Sequence, residues 1–160
     1  MDVDYVRPCK TREVRDNFDD HVKRGSKMPG LDYACKTGDK VFATARGVVV
    51  SCSNNPDQVL GKNIAIRHGD GKISYYLHLS KPDVSNGQRV KAGEVIGLSG
   101  NTGTTSTGPH LHFAIRNARG VFIDPAKLLR KELAEKRAEA AEAAAIIPPV
   151  VDVVAEVIPE

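Results

Sequence analysis

The sequence contains no tryptophan, and aromatic residues make up only 5% of its 160 residues. A surface that binds nucleic acid by base stacking needs several exposed aromatic side chains. The formal net charge of +3 is also too small to indicate a polyanionic partner. We therefore expect no nucleic-acid partner.

Long apolar runs are absent as well. No run approaches the roughly 18 residues that a membrane-spanning helix needs, and the opening residues MDVDYVRPCKTREVRDNF contain no apolar core typical of a signal peptide. We expect a chain without a membrane span that is made in the cytoplasm without a signal peptide.

Cysteine is scarce and its spacing is uninformative. Cys9, Cys35 and Cys52 form no CxxC pair, and their number is odd. This pattern predicts reduced thiols rather than a disulfide framework.

Apolar residues (41%) and charged residues (27%) occur at the frequencies of an ordinary globular domain. Residues 1–25 are polar and are predicted to be an irregular N-terminal segment. Residues 26–125 contain short β-branched or alternating stretches separated by Gly, Asn, Asp and Pro, which predicts an all-β domain with a sandwich or folded antiparallel sheet. The predicted strands include 41–51, 62–68, 73–80 and 110–116.

The C-terminal part has a different composition. Residues 126–145 are rich in strong helix formers and predict an exposed helix, which Pro148 and Pro149 would end. Residues 146–160 form an apolar, proline-containing tail, which is either disordered or a peptide that docks on a partner.

The stretch GPHLHF at 108–113 places two histidines two residues apart. If it is a strand, His110 and His112 project from one face, while Leu111 and Phe113 point into a core. Two imidazoles on one face either bind one metal ion together, or one binds while the other transfers protons. Two surface histidines without such a role are the simpler alternative.

Four sequence blocks within residues 26–125 together resemble the lysostaphin-type (LytM-like) zinc metalloendopeptidases that cut peptidoglycan peptides. The blocks are PGLDYACKTGDKVFATARGVV, IRHGDGKISYYLHLS, VSNGQRVKAGEVIGLSGNTG and STGPHLHFAI followed by DP. The resemblance implies a curled antiparallel β-sheet of the duplicated hybrid motif type, with a groove and a Zn²⁺ ion at its floor.

The resemblance also implies roles for individual residues. Asp32 and His112 would be zinc ligands, and His78 and His110 would be catalytic histidines beside the metal. A histidine of this kind can accept a proton from the attacking water or donate to the developing oxyanion. His68, in IRHGDG, is expected to be structural or to lie at the groove rim.

One zinc ligand of the family is missing, because Met28 stands where the family has a histidine. A thioether is a poor ligand for zinc in a nitrogen and oxygen site. Three interpretations remain open: His21 folds back and supplies the nitrogen, a cysteine such as Cys35 does so, or the site no longer binds catalytic zinc.

The sequence thus predicts a zinc-dependent endopeptidase of bacterial peptidoglycan that acts at the cell wall. A bacteriophage lysis enzyme or a virion-associated subunit would fit the expected absence of a signal peptide, with the segment from 126 onward docking to a phage tail or virion. The alternative is a catalytically inactive relative that serves as a structural, wall-binding or activator module.

Overall fold

The computed structural model describes residues 3–129, together with residues 138, 141 and 142. The sheet lies in one compact unit, Met1–Leu129. Its elements, in chain order, are β1 (Val14–Asp16), α1 (Phe18–Lys23), β2 (Leu31–Tyr33), β3 (Lys40–Phe42), β4 (Gly47–Ser53), β5 (Lys62–His68), β6 (Ile73–Pro82), β7 (Arg89–Val90), β8 (Val95–Ser99), β9 (Leu111–Arg116) and β10 (Phe122–Ile123).

The strands form one 10-stranded sheet in the order β1-β2-β9-β6-β5-β4-β7. β10 pairs with β9, and β8 pairs with both β3 and β6. All pairings are antiparallel. The predicted all-β antiparallel fold is therefore confirmed.

The centre of the sheet is also the centre of the core. Leu111, Phe113 and Ile115 of β9 are each 0% exposed, as the alternation of this stretch predicts. The Phe113 ring packs against Tyr33 of β2 and Tyr76 of β6, with ring centroids 6.4 Å and 5.5 Å away. Full burial of such a side chain stabilises the fold by about 1.5–3 kcal/mol, so β9 is held firmly between its neighbours.

The stretch predicted as a single strand over 41–51 is two strands. The chain leaves β3, which pairs with β8, and then enters β4, which pairs with β5 and β7. Residues 43–45 between them are buried. The spacing of apolar residues could not reveal the break, because both strands are apolar. They differ only in the strands with which they pair.

Residues 3–25 are more ordered than predicted. They contain β1 and α1, and Tyr5 and Cys9 belong to the buried core. The Val6 amide donates to the Thr44 carbonyl at 2.6 Å. The segment is predicted to be irregular because its few apolar residues follow no period, but tertiary contacts bury Tyr5 and Cys9 in the core.

The helix predicted over 126–145 is described only in part. Residues 125–129 are helical, as are 138, 141 and 142. The remainder of that segment and the predicted tail at 146–160 lie outside the described residues. Within the described part of the chain, no helix is long and apolar enough to cross a membrane.

A buried polar chain stabilises the β5–β6 hairpin. His68 Nδ1 donates to the Arg46 carbonyl at 2.8 Å, and its Nε2 lies 2.8 Å from the Ser74 hydroxyl. Ser74 and Tyr76 share a further hydrogen bond of 2.8 Å, and the Thr44 amide donates to the Tyr76 hydroxyl at 2.9 Å. Every member is satisfied with a neutral His68, and burial lowers the pKa of this histidine from its usual 6.5.

We expect His68 to make the fold sensitive to acid. Because its native pKa lies below the unfolded value, its contribution to stability is complete above about pH 6.5 and declines as the pH falls. In urea titrations between about pH 7 and about pH 5, the unfolding free energy should fall more steeply for the wild type than for His68→Gln. Parallel pH profiles for the two proteins would contradict this assignment.

Gly30 allows β2 to lie close against β9. A Cβ atom at this position would be 2.3 Å from the Phe113 carbonyl oxygen. Since that oxygen belongs to the backbone of a fully buried strand, it cannot move aside easily.

Gly30→Ala should therefore lower the unfolding free energy by about 2 kcal/mol, the usual cost of overpacking. Gly108→Ala is the matched control, because a Cβ atom there has no neighbour within 4 Å, and it should change stability by less than about 0.5 kcal/mol. Chemical denaturation measures the unfolding free energy of both variants. An equal decrease in the two variants would show that the contact between Gly30 and the Phe113 carbonyl does not limit the residue at this position.

Candidate metal centre

Strand pairing brings the first two site residues together. Asp32 of β2 is the register partner of His112 of β9, and His112 in turn faces Leu77 of β6. Side chains opposite one another on neighbouring antiparallel strands lie about 4.5–5.5 Å apart at Cβ. The His112 Nδ1 is accordingly 2.7 Å from the Asp32 Oδ1.

A third side chain reaches this pair from α1. The His21 Nε2 lies 3.3 Å from the Asp32 Oδ2, and the His21 and His112 rings are 4.9 Å apart. Only 5% of His21 is exposed. The helix that carries it ends before β2 begins, so the chain folds back over the sheet and places His21 on the carboxylate.

The start of α1 determines how His21 is oriented. Asn17 caps the helix and forms a capping box with Asp20, in which the side chain of each accepts from the backbone amide of the other. The Asn17 carbonyl accepts from both the His21 amide, at 3.2 Å, and the His21 Nδ1, at 2.8 Å. His21 Nδ1 therefore carries a hydrogen, and Nε2 is the atom directed at Asp32.

The hydrogen-bond partners of the two histidines fit a bound cation. The His112 Nε2 is 2.8 Å from the Met28 carbonyl oxygen, so this nitrogen donates and Nδ1 is left facing the Asp32 carboxylate. In both rings, each nitrogen thus faces an oxygen that can only accept. A neutral imidazole has one donor nitrogen, so these contacts call either for a second proton on each ring or for a cation between His21 Nε2, His112 Nδ1 and Asp32.

The donor set fits a metal of the zinc type. One ligand atom from each of His21, Asp32 and His112 lies within 4.8 Å of the others. Ligand atoms bonded to a tetrahedral zinc at about 2.0–2.2 Å are somewhat closer than this, so small side-chain movements suffice. Two imidazoles and one carboxylate leave a fourth position open, as catalytic zinc sites require.

Electrostatics keep Asp32 ionised. Burial alone would raise its pKa, but the adjoining His112 and His21 side chains outweigh burial and hold the pKa of the carboxyl well below its usual range. For His21 burial also opposes the charged form, yet its bonds to Asp32 and the Asn17 carbonyl raise its pKa. The carboxylate is thus available as a ligand at any ordinary pH.

His78 and His110 lie beside this centre. Their rings are 4.9 Å apart, and the His110 Nε2 is 3.7 Å from the Asp32 Oδ1. The His78 Nδ1 donates to the Thr102 carbonyl at 2.7 Å, and the His110 Nδ1 donates to the Gly108 carbonyl at 2.8 Å. Neither ring uses its Nε2 in a hydrogen bond to another described residue.

His78 has an uncommon backbone conformation. Its φ is +63°, the only positive value for a described residue other than glycine. Such a conformation costs of order 1–3 kcal/mol, and it persists where the surroundings impose it. Burial, with a smaller contribution from the nearby histidines, lowers the pKa of His78 to about 4, so its ring is neutral near pH 7.

All five predicted site residues lie around one groove of about 510 Å³. The described residues that line it are His21, Arg24, Ser26, Lys27, Met28, Asp32, Val59, Leu60, Leu77, His78, Thr105, His110 and His112. Cys9 and Cys35 lie in the core instead, so the structure gives no geometric basis for a cysteine ligand. His68 likewise belongs to the buried hairpin described above.

Sequence reasoning missed two parts of this centre. The Met28 backbone carbonyl orients His112, a contact that no side-chain pattern signals. The cap at Asn17 orients His21, and here a signal was present, since Asn followed three residues later by an acidic residue is typical of a helix start.

Comparison with known proteins identifies the family. Residues 26–125 match peptidase family M23. The peptidoglycan DD-endopeptidase ShyA of Vibrio cholerae serotype O1 is 42% identical over 107 residues, which is 64% of this chain and 24% of ShyA. The chain thus spans about a quarter of that relative's length.

Solved structures agree with this assignment. The crystal structure of a putative peptidase M23 from Pseudomonas aeruginosa matches with a TM-score of 0.68 and 32% identity, over 81% of this chain and 51% of that one. A zinc containing peptidase from Vibrio cholerae matches with a TM-score of 0.65 and 31% identity, over 79% of this chain and 39% of that one. The match over most of the sheet and the grouping of His and Asp side chains in its groove lead to one conclusion: the chain belongs to peptidase family M23.

Proposed function

We propose that this protein is a zinc-dependent endopeptidase that hydrolyses peptide bonds in bacterial peptidoglycan. His21, Asp32 and His112 hold the zinc, and His78 and His110 are the catalytic histidines. The observation that carries the proposal is the convergence of two imidazole nitrogens on one carboxylate, while the opposite nitrogen of each ring is bound to a backbone carbonyl. The peptidoglycan substrate is supported by the similarity to ShyA.

In this proposal His21 takes the place of the histidine that is absent at Met28. The ligand comes from α1 rather than from the segment that leads into β2. Met28 contributes its carbonyl oxygen, which holds the His112 ring so that Nδ1 points to the metal, a kind of support that most histidine ligands receive.

Zinc would polarise the scissile carbonyl and lower the pKa of the attacking water. The chain's own groups handle the protons. His110 lies next to Asp32, and His78 lies beside His110. Both present their Nε2 atoms to the groove. Between them they accept the proton of the attacking water, stabilise the developing oxyanion and pass a proton to the leaving amine.

Metal content tests the proposed zinc ligands. Protein purified without chelator should contain close to one zinc per chain, and His21→Ala should bind zinc at least about 100-fold more weakly, because even the loss of a supporting contact costs about 10–100-fold. Elemental analysis and competition with a chromophoric chelator measure the two quantities.

His68→Gln is the matched control, since it removes a buried histidine outside the groove and should retain full zinc. Zinc retained at wild-type affinity in His21→Ala would exclude His21 as a ligand. A wild type that takes up no zinc when the ion is supplied would favour the catalytically inactive relative instead.

Substitution of His110 and His78 separates catalysis from metal binding. His110→Ala and His78→Ala should each reduce kcat for release of peptides from purified peptidoglycan by about 10²–10⁴-fold, the usual contribution of proton transfer. Zinc content should stay near one per chain. If a variant lost zinc and activity together, the substituted histidine would be a zinc ligand rather than a proton-transfer group.

The bacteriophage role and the docking of the C-terminal segment stay predictions from the sequence. Truncation after residue 125 tests the docking: unchanged assembly and activity would remove that idea.

A further inference from the structure

The groove beside the metal centre has two chemically different walls. The segment between α1 and β2 contributes Arg24 and Lys27 on one side. Val59 and Leu60 come from the loop between β4 and β5 and line the groove together with Thr105. Because β9 and β6 separate β2 from β5 in the sheet, this loop lies on the other side of the groove from the α1–β2 segment. A ligand in the groove therefore meets positive charge on one flank and largely apolar surface on the other.

The positive wall has no balancing acid within the groove. Of the described residues that line it, Asp32 is the only carboxylate, and its charge is directed at the histidines. Arg24 is paired with Asp16 of β1. Lys27 is exposed and has neither an ion pair nor a side-chain hydrogen bond among the described residues.

The apolar wall is exposed yet fixed in place. Val59 is 57% exposed, which is high for an apolar side chain that lines a groove. Its carbonyl accepts from the Thr105 hydroxyl at 3.0 Å, and the Leu60 carbonyl accepts from the His78 amide at 3.1 Å. The loop is thus hydrogen-bonded to β6, the strand that carries His78. This bond fixes the position of the loop's apolar groups relative to His78.

We propose that Lys27 selects substrate peptides that carry a free carboxylate beside the scissile bond, while Val59 and Leu60 accept a small apolar side chain such as that of alanine. The carboxylate lies on the side of the α1–β2 segment. This inference rests on the proposed peptidoglycan substrate, whose peptides combine alanines with free carboxylates. Lys27 acts in specificity and takes no part in the chemical step.

The test compares two forms of one probe. Cross-linked muropeptide dimers are used either with their free carboxylates or after carbodiimide coupling to ammonia has converted these to carboxamides. Binding of both forms to zinc-loaded protein is measured by calorimetry, and hydrolysis is followed by chromatography. We expect the wild type to bind the carboxylate form about fivefold more tightly, the upper range for an exposed ion pair.

Variants assign the preference to one side chain. Lys27→Gln should remove most of the preference, and Lys27→Glu should reverse it. Lys23→Gln is the matched control, because Lys23 is an exposed lysine in the last turn of α1 that does not line the groove, so the preference should remain. In the wild type the preference should also fade near 1 M salt, where the screening length is about 3 Å.

The outcomes distinguish this inference from the proposed function. Equal binding of the two forms by a wild type that cleaves both would overturn the carboxylate preference and leave the peptidase function intact. A preference that Lys27→Glu leaves unchanged would also overturn it. A wild type that prefers the carboxylate form and hydrolyses neither would support the inference and refute the proposed function.

Discussion

The partly buried carboxylate of Asp32 is the constraint on which the rest of the site depends. An ionised group that is removed from water has to be compensated by charge or by hydrogen bonds. Here the compensation comes from two histidines that belong to different elements, one on β9 and one on α1. The position of the N-terminal segment against the sheet and the narrow spacing of β2 and β9 are both required to bring them within reach.

His78, one of the two proposed catalytic histidines, is held in place through Thr102. Its hydroxyl donates to the Leu79 carbonyl at 2.6 Å and accepts from the Lys62 amide at 3.0 Å. Its carbonyl accepts from the His78 ring. One residue of the β8–β9 loop therefore joins β5 and β6 and fixes the His78 ring, so the left-handed backbone at His78 is held by contacts from several directions.

Much of this arrangement could be predicted from the sequence, because strand alternation determines which side chains share a face. The positions of His110, His112 and Asp32 followed from strand patterns and from the resemblance of four blocks to a known family. The ordered N-terminal segment could not be predicted in this way. Its core residues, such as Tyr5 and Cys9, are isolated in sequence and are buried only by distant parts of the chain.

The contrast between Met28 and His21 illustrates the limit of motif reasoning. A motif records which residue types follow one another, whereas a coordination site requires only that certain atoms meet in space. A comparison of residue types at Met28 cannot register the backbone oxygen through which this residue contacts His112.

The placement of His21 on a helix of six residues has a kinetic consequence. In the proposed zinc-loaded form, two ligands belong to paired strands, while the third belongs to a short element that opens at much lower free energy than the core. Metal exchange would then proceed through transient unwinding of α1, with Asp32 and His112 left in place. The lifetime of the bound ion would depend on the local stability of α1, so the strength of the cap at Asn17 would set how quickly this protein loses and regains its metal.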